Sequence, residues 1–211
     1  MLQAQTLDNP FQPVVQITWN DAALYCNWLS QQAGLDPFYV VENGTVTGSN
    51  INSTGYRMPT EAEWEWAART QGESDVTHRF PWGNSWPPSN NEGNFADEST
   101  QSFLAQFIRG YNDGFAVTSN VGQFPANARG IYDMAGNVSE WVHDIYGAVS
   151  GLSTAAETDP VGPESGRYHT IKGSSWGHGS VVELRASYRD FGEEARNDVG
   201  FRVARFLERA E

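Results

Sequence analysis

A single cysteine, Cys26, rules out an internal disulfide and any chemistry that needs a pair of thiols within the chain. Positive charge is scarce as well: 13 Lys and Arg stand against 26 Asp and Glu, a formal net charge of −13. Nucleic acid and anionic membrane surfaces repel such a chain, so neither is expected as a partner. No apolar run approaches the roughly 18 residues that a membrane helix needs. The polar start Met1-Leu2-Gln3-Ala4-Gln5 does not read as a signal peptide. Membrane insertion is therefore not expected, and no compartment is assigned. Also missing are a His-x-x-x-His helix, a Gly-x-Ser-x-Gly elbow, a phosphate loop and a zinc spacing; His78, His143, His169 and His178 are scattered singly.

What is present is globular. The 211 residues are 39% hydrophobic and include eight Trp, enough for one domain with a full core. We place that domain at 13–211, behind a short extension at 1–12. Two helix starts are readable. Thr18 with Asp21 three residues on makes a capping-box-like pair, followed by Ala22, Tyr25, Cys26, Leu29 and Ala33 at helical spacing and a stop at Gly34. Thr60 with Glu63 repeats the signal ahead of Trp64, Ala67 and Ala68. Asn43-Gly44 between β-prone segments predicts a hairpin from Val40 to Val46. Residues 79–129 are rich in Pro, Gly, Asn and aromatics without periodicity, as in a long functional or ion-held loop region. Strands are expected at Ile131-Tyr132, Val138 to Ile145, His169 to Lys172, Leu184 to Tyr188 and Phe201 to Phe206, with an exposed loop from Ala148 to Gly166.

Four blocks carry a family likeness. They are Pro13 to Trp19 with Ala22 to Leu29; Gly55-Tyr56-Arg57-Met58-Pro59-Thr60-Glu61-Ala62-Glu63-Trp64 to Arg69 with Phe80-Pro81-Trp82-Gly83; Gly130 to Val142, containing Asp133-Met134-Ala135-Gly136-Asn137-Val138-Ser139-Glu140-Trp141; and Gly173-Ser174-Ser175-Trp176 running to Gly200-Phe201-Arg202. Together, from about residue 13 to 206, they resemble the formylglycine-generating enzyme (sulfatase-modifying factor) family. The resemblance implies an α+β, C-type-lectin-like fold with little regular secondary structure. Family domains usually begin several dozen residues earlier with a β-rich segment; either the chain is a shortened member, or the missing strands come from a partner chain, from self-association or from a removed upstream region.

The same resemblance implies one or two structural calcium ions. One set would be Asp133, the carbonyls of Gly136 and Val138, and Glu140; the other Asn94, the carbonyl of Phe95, Asp113 and the carbonyl of Phe115. Oxygen donors of mixed kind suit that hard cation. The catalytic members bind copper through two cysteines placed where this chain has Gly177, His178, Gly179, Ser180, Val181, Val182 and Glu183. Formylglycine formation by that route is not expected. The alternative is a metal-dependent oxidoreductase, formylglycine-generating or sulfoxide-synthase-like, using ligands other than cysteine, with His178, Glu183 or Tyr188 as acid or base. The leading expectation is a non-catalytic module that binds a protein or peptide near residues 176–197. Trp176, His178, Ser180, Glu183, Arg185, Tyr188, Arg189, Phe191 and Arg196 mix aromatics, Arg and small polar groups there, a composition suited to recognition. The family also includes ligand-binding variable proteins diversified by retroelements, whose variable region falls in this part of the chain.

Overall fold

Thr18 and Thr60 start the two helices of the computed structural model, which describes residues 6–69, 78–89, 91–147 and 158–207. The Thr18 hydroxyl accepts from the Asp21 backbone N–H, and the Asp21 carboxylate accepts in return from the Thr18 N–H. This reciprocal cap satisfies two of the free donors at the start of α1 (Trp19–Gln32). Thr60 and Glu63 repeat it at α2 (Glu61–Arg69). The buried face of α1 is Trp19, Ala22, Ala23, Cys26, Asn27 and Ser30, one step round from the expected stripe. Tyr25 lies exposed and Ala33 forms the C-cap, because polar Asn27 and Ser30 turn inward to bond the Tyr39 and Cys26 carbonyls.

The Asn43-Gly44 turn, with positive φ at both residues, joins β1 (Tyr39–Glu42) to β2 (Thr45–Ser49). A separate four-stranded sheet has the order β5-β4-β3-β6, formed by β3 (Ser139–Ile145), β4 (His169–Lys172), β5 (Arg189–Gly192) and β6 (Val199–Phe201). β3 pairs antiparallel with β4 and parallel with β6. Two expected strands do not form, and of a third, Phe201 to Phe206, only Phe201 lies in β6, with Ala204 an isolated bridge to Arg57. Ile131-Tyr132 stays irregular, and residues 180–188 turn in helical fashion, with Leu184 N–H donating to the Ser180 carbonyl; the strand comes afterwards, at β5. Of the expected loop from Ala148 to Gly166, residues 148–157 lie outside the described residues, and 158–166 carry no helix or strand.

Three cores hold these parts. Trp19, Ala22, Cys26, Trp141, Ile171 and Val199 join α1 to the large sheet. Trp64, Ala68, Met134, Val142 and Ala186 join α2 to the sheet's other side. Phe80, Phe95, Ile108, Tyr111 and Leu184 fill the loop region. Lys172, the only lysine in the sequence, is fully buried in β4 and paired with Glu65 at 2.9 Å and Glu61 at 3.5 Å on α2. The architecture is α+β and loop-rich, of the C-type-lectin-like kind. No helix among the described residues is long and apolar enough to cross a membrane.

Candidate functional site

Two oxygen-rich loops lie back to back where the long irregular segment meets β3. Residues 133–138 form the first, with positive φ at Asp133, Gly136 and Asn137. Gly136 is required sterically: a Cβ there would sit 2.1 Å from the Asn94 carbonyl oxygen. That close approach, with the Asn137 N–H donating to the same carbonyl at 2.8 Å, ties the first loop to the second. The two sets of oxygens inferred from the sequence are thus neighbours.

In the first loop the Asp133 side chain accepts from the Gly122 N–H through Oδ2, while its Oδ1 is buried without a hydrogen-bond partner. Burial raises the Asp133 pKa above the ordinary value, with Glu140 adding to the rise. A cavity of about 190 Å3 brings Asp133, Gly136, Val138 and Glu140 together with Arg202. Glu140 is already engaged there. Arg202 binds both its oxygens, at 2.5 and 2.6 Å, and the Trp64 indole N–H donates to it at 2.7 Å. The Arg202 guanidinium also reaches the Tyr132 and Asp133 carbonyls.

The second loop carries more unbalanced negative charge. Asp113 accepts from the Phe95 and Phe115 N–H groups, each at 2.9 Å. Its own N–H donates to Asp97 at 2.6 Å, and the Ser99 hydroxyl bridges Asp97 to the Phe115 carbonyl. Asn94 is fully buried, and its Oδ1 has no partner. Burial, with Asp97 alongside, pushes Asp113 up to about 7. Among the described residues neither Asp97 nor Asp113 has a Lys, Arg or His ion-pair partner. Desolvated carboxylates side by side need a shared proton or a cation. Hard-cation donors are therefore present in both loops, and the second lacks any resident counter-charge. No group of three or more His, Cys, Asp or Glu side chains that could hold a metal occurs among the described residues. The two inferred sets hold at most two carboxylates each and are completed by amide and backbone oxygens.

The expected recognition residues divide. Trp176 is 8% exposed, its indole directed at the Asn197 carbonyl, so it supports the surface from beneath and offers no ring to a ligand. Arg189 is tied to Glu61 at 2.6 Å, and Arg196 to Asp190 and Asp198. Ser180 and Glu183 cap each other and start the helical turns that replaced the expected strand. His178 accepts the Ser175 N–H on Nδ1 and meets Tyr188 edge-on at 5.9 Å; burial lowers its pKa. Phe191 is exposed in a separate cluster with Tyr146 and Tyr168. Exposed Arg185 and half-buried His178, Glu183 and Tyr188 thus remain as the accessible polar-aromatic group. Cys26 lies in the core of α1, fully buried, and burial pushes its thiol up to about 12.

Residues 3–207 match the family model described as sulfatase-modifying factor enzyme 1-like domain. The chain belongs to the sulfatase-modifying factor family. It is 36% identical over 171 residues to a formylglycine-generating enzyme of Thermomonospora curvata, covering 80% of this chain and 46% of that protein. It is 30% identical over 203 residues to the inactive Cα-formylglycine-generating enzyme 2 of Mus musculus, covering 91% and 48%. The chain therefore spans about half the length of the curated relatives it matches. Among solved structures it resembles Treponema denticola variable protein 1, with a TM-score of 0.75 and 27% identity over 96% of this chain and 74% of the other. PvdO from Pseudomonas aeruginosa is similar at a TM-score of 0.68 and 29% identity, over 94% and 64%.

Sequence reasoning missed two partners in this family member. Arg202 stands in the closing motif, but its contact with Glu140 spans 62 residues, with no local signal to announce it. Asp97 lay unremarked in an irregular segment. Its proximity to Asp113 depends on how residues 97–113 fold back.

Proposed function

We propose that this chain is a non-catalytic recognition module whose loops are held by one or two calcium ions, and that it binds a protein or peptide around His178, Glu183, Arg185 and Tyr188. The observation that carries the non-catalytic half is the fate of the thiol. Positions 177–183 contain no cysteine, and Cys26 is locked into a helix core as a protonated thiol. A soft-metal site built on thiolates needs exposed, ionised sulfur. An inactive relative shows by its name that the family includes members without the activity, and the likeness to a variable protein supports a recognition role.

Calcium fits the second loop best. Asn94 Oδ1, the Phe95 and Phe115 carbonyls and Asp113 supply neutral and charged oxygens, and an ion there would satisfy the orphaned amide oxygen and offset the crowded carboxylates. In the first loop Asp133 Oδ1 is equally unsatisfied, but an ion would share Glu140 with Arg202. The test is twofold. Copper-supplied protein incubated with oxygen and a cysteine-containing sulfatase peptide is expected to yield no aldehyde, and peptide display is expected to enrich sequences whose binding is lost on Arg185→Ala or Tyr188→Ala. Aldehyde formation would overturn the reading.

A further inference from the structure

The four-stranded sheet ends at β5, whose one strand neighbour among the described residues is β4. Alternate residues of such an edge strand turn their N–H and C=O groups away from the sheet. Phe191 shows which they are. Its N–H donates to Oδ1 of the preceding Asp190 at 2.8 Å, so it points outward, and by alternation so do the backbone groups of Arg189. Among the described residues no backbone group meets that side of either residue. The Asp190 carboxylate thus caps an edge where a fifth strand would lie, and this contact is exposed.

The two faces of β5 differ in chemistry. Arg189 reaches Glu61 on α2 at 2.6 Å, which puts Arg189 and Phe191 on the α2 side. There Phe191 stacks on Tyr146 at 4.4 Å and meets Tyr168 at 5.1 Å. Phe191 is 44% exposed, so this aromatic platform stays open beside the strand. Asp190 lies on the opposite face with Gly192, where a Cβ would stand 3.0 Å from Trp141. Its Oδ2 accepts from Arg196 at 2.6 Å, and the chain runs on from β5 into exposed Glu193 and Glu194. Glu193 pairs with Arg167, whereas Glu194 has no ion-pair partner among the described residues. An apolar face and an acidic face therefore border the same free edge.

We infer that β5 accepts an extended peptide as an antiparallel fifth strand, one whose residues alternate between apolar and basic. The inference rests on the recognition role proposed above and gives that role a mode of binding. Residues of the peptide opposite Arg189 and Phe191 exchange backbone hydrogen bonds with them and pack their apolar side chains on the Phe191 platform. The residue between them faces Asp190, whose Oδ1 is released from the Phe191 N–H and meets a basic side chain. A second copy of the chain is the poorer occupant. Antiparallel pairing centred on Asp190 would set two Asp190 side chains opposite each other, between chains of net charge −13.

A hexapeptide of alternating Val and Lys, capped at both ends, tests the inference while the amide signals of Arg189, Asp190 and Phe191 are followed by NMR. It is expected to bind saturably and to shift all three. N-methylation of its Val residues, whose N–H groups face β5, is expected to weaken it more than about tenfold, whereas N-methylation of its Lys residues leaves binding intact. The Val and Glu counterpart is expected to bind about tenfold more weakly. Asp190→Asn keeps an oxygen for the Phe191 N–H and is expected to narrow that gap about threefold, the worth of one partly exposed ion pair. Absence of binding, equal loss from either methylation, no preference for the basic peptide, or shifts confined to other residues would overturn the added strand. Display-selected peptides that need Arg185 but leave the β5 signals unmoved would also overturn it, while sparing the recognition role itself.

Discussion

The half of the molecule built from α1, α2 and the four-stranded sheet is held in a different way from the half between residues 79 and 138. In the first, backbone ladders and two apolar cores do the holding, and charges such as Lys172 are buried with their partners. In the second, isolated bridges replace strands, and order comes from carboxylates capping N–H groups, from Asn side chains and from glycine-to-carbonyl contact. A ladder satisfies its own polar groups. A loop lattice made of acidic caps leaves negative charge over, and it is in the loop half that the proposed calcium would act.

The seam between the two halves is the most sensitive point of the molecule. Gly136→Ala places a Cβ against the Asn94 carbonyl at positive φ, and we expect a loss of about 3 kcal/mol or more in thermal or denaturant unfolding. Glu140→Gln strips the carboxylate from Arg202 in a largely buried setting and should cost about 3 kcal/mol, as breaking a buried pair does. Asp113→Asn tests the loop half alone: thermal stability with calcium should fall by about 1–3 kcal/mol, and the difference between calcium and chelator should shrink towards zero.

Acidity sharpens the contrast. Asp113 is pushed up to about 7, so its folded form holds a proton that the unfolded carboxylate has already lost. Without calcium, its contribution is complete below about pH 4 and is lost as pH rises through about 7. Chelated protein should therefore show larger protection factors around residues 94–115 at pH 5 than at pH 7.5, once the intrinsic pH dependence of exchange is divided out. The sheet half runs the other way at its histidines. His143 and His169 are held at about 4, so their contribution is present above about 6.5 and lost as pH falls towards 4, with Asp144, raised to about 6, partly offsetting it. The smallest effect belongs to exposed Arg185→Ala, which should leave the unfolding free energy unchanged to within about 0.5 kcal/mol while removing ligand binding.

The same contrast explains what could be read from the chain. Thr18 with Asp21, Thr60 with Glu63 and the Asn43-Gly44 turn act over two to four residues, so their signals are local and the elements form where those residues stand. The face of α1 was misjudged by one step because Asn27 and Ser30 are polar yet turn inward to bond carbonyls, which periodicity cannot weigh. The alternation in Leu184 to Tyr188 looked like a strand, but the cap between Ser180 and Glu183 sets helical turns instead. Asn94, Asp113, Asp133 and Glu140 were visible through the family likeness. What joins them, Asp97 and Arg202, was not, because their contacts are set by tertiary folding.

Hydrogen exchange along the whole chain, measured with calcium and again with chelator, separates the two halves. The account predicts that chelation strips protection from residues 91–138 while α1, β3 and β4 keep theirs. Protection that is unchanged everywhere, or lost uniformly from both halves, would contradict it.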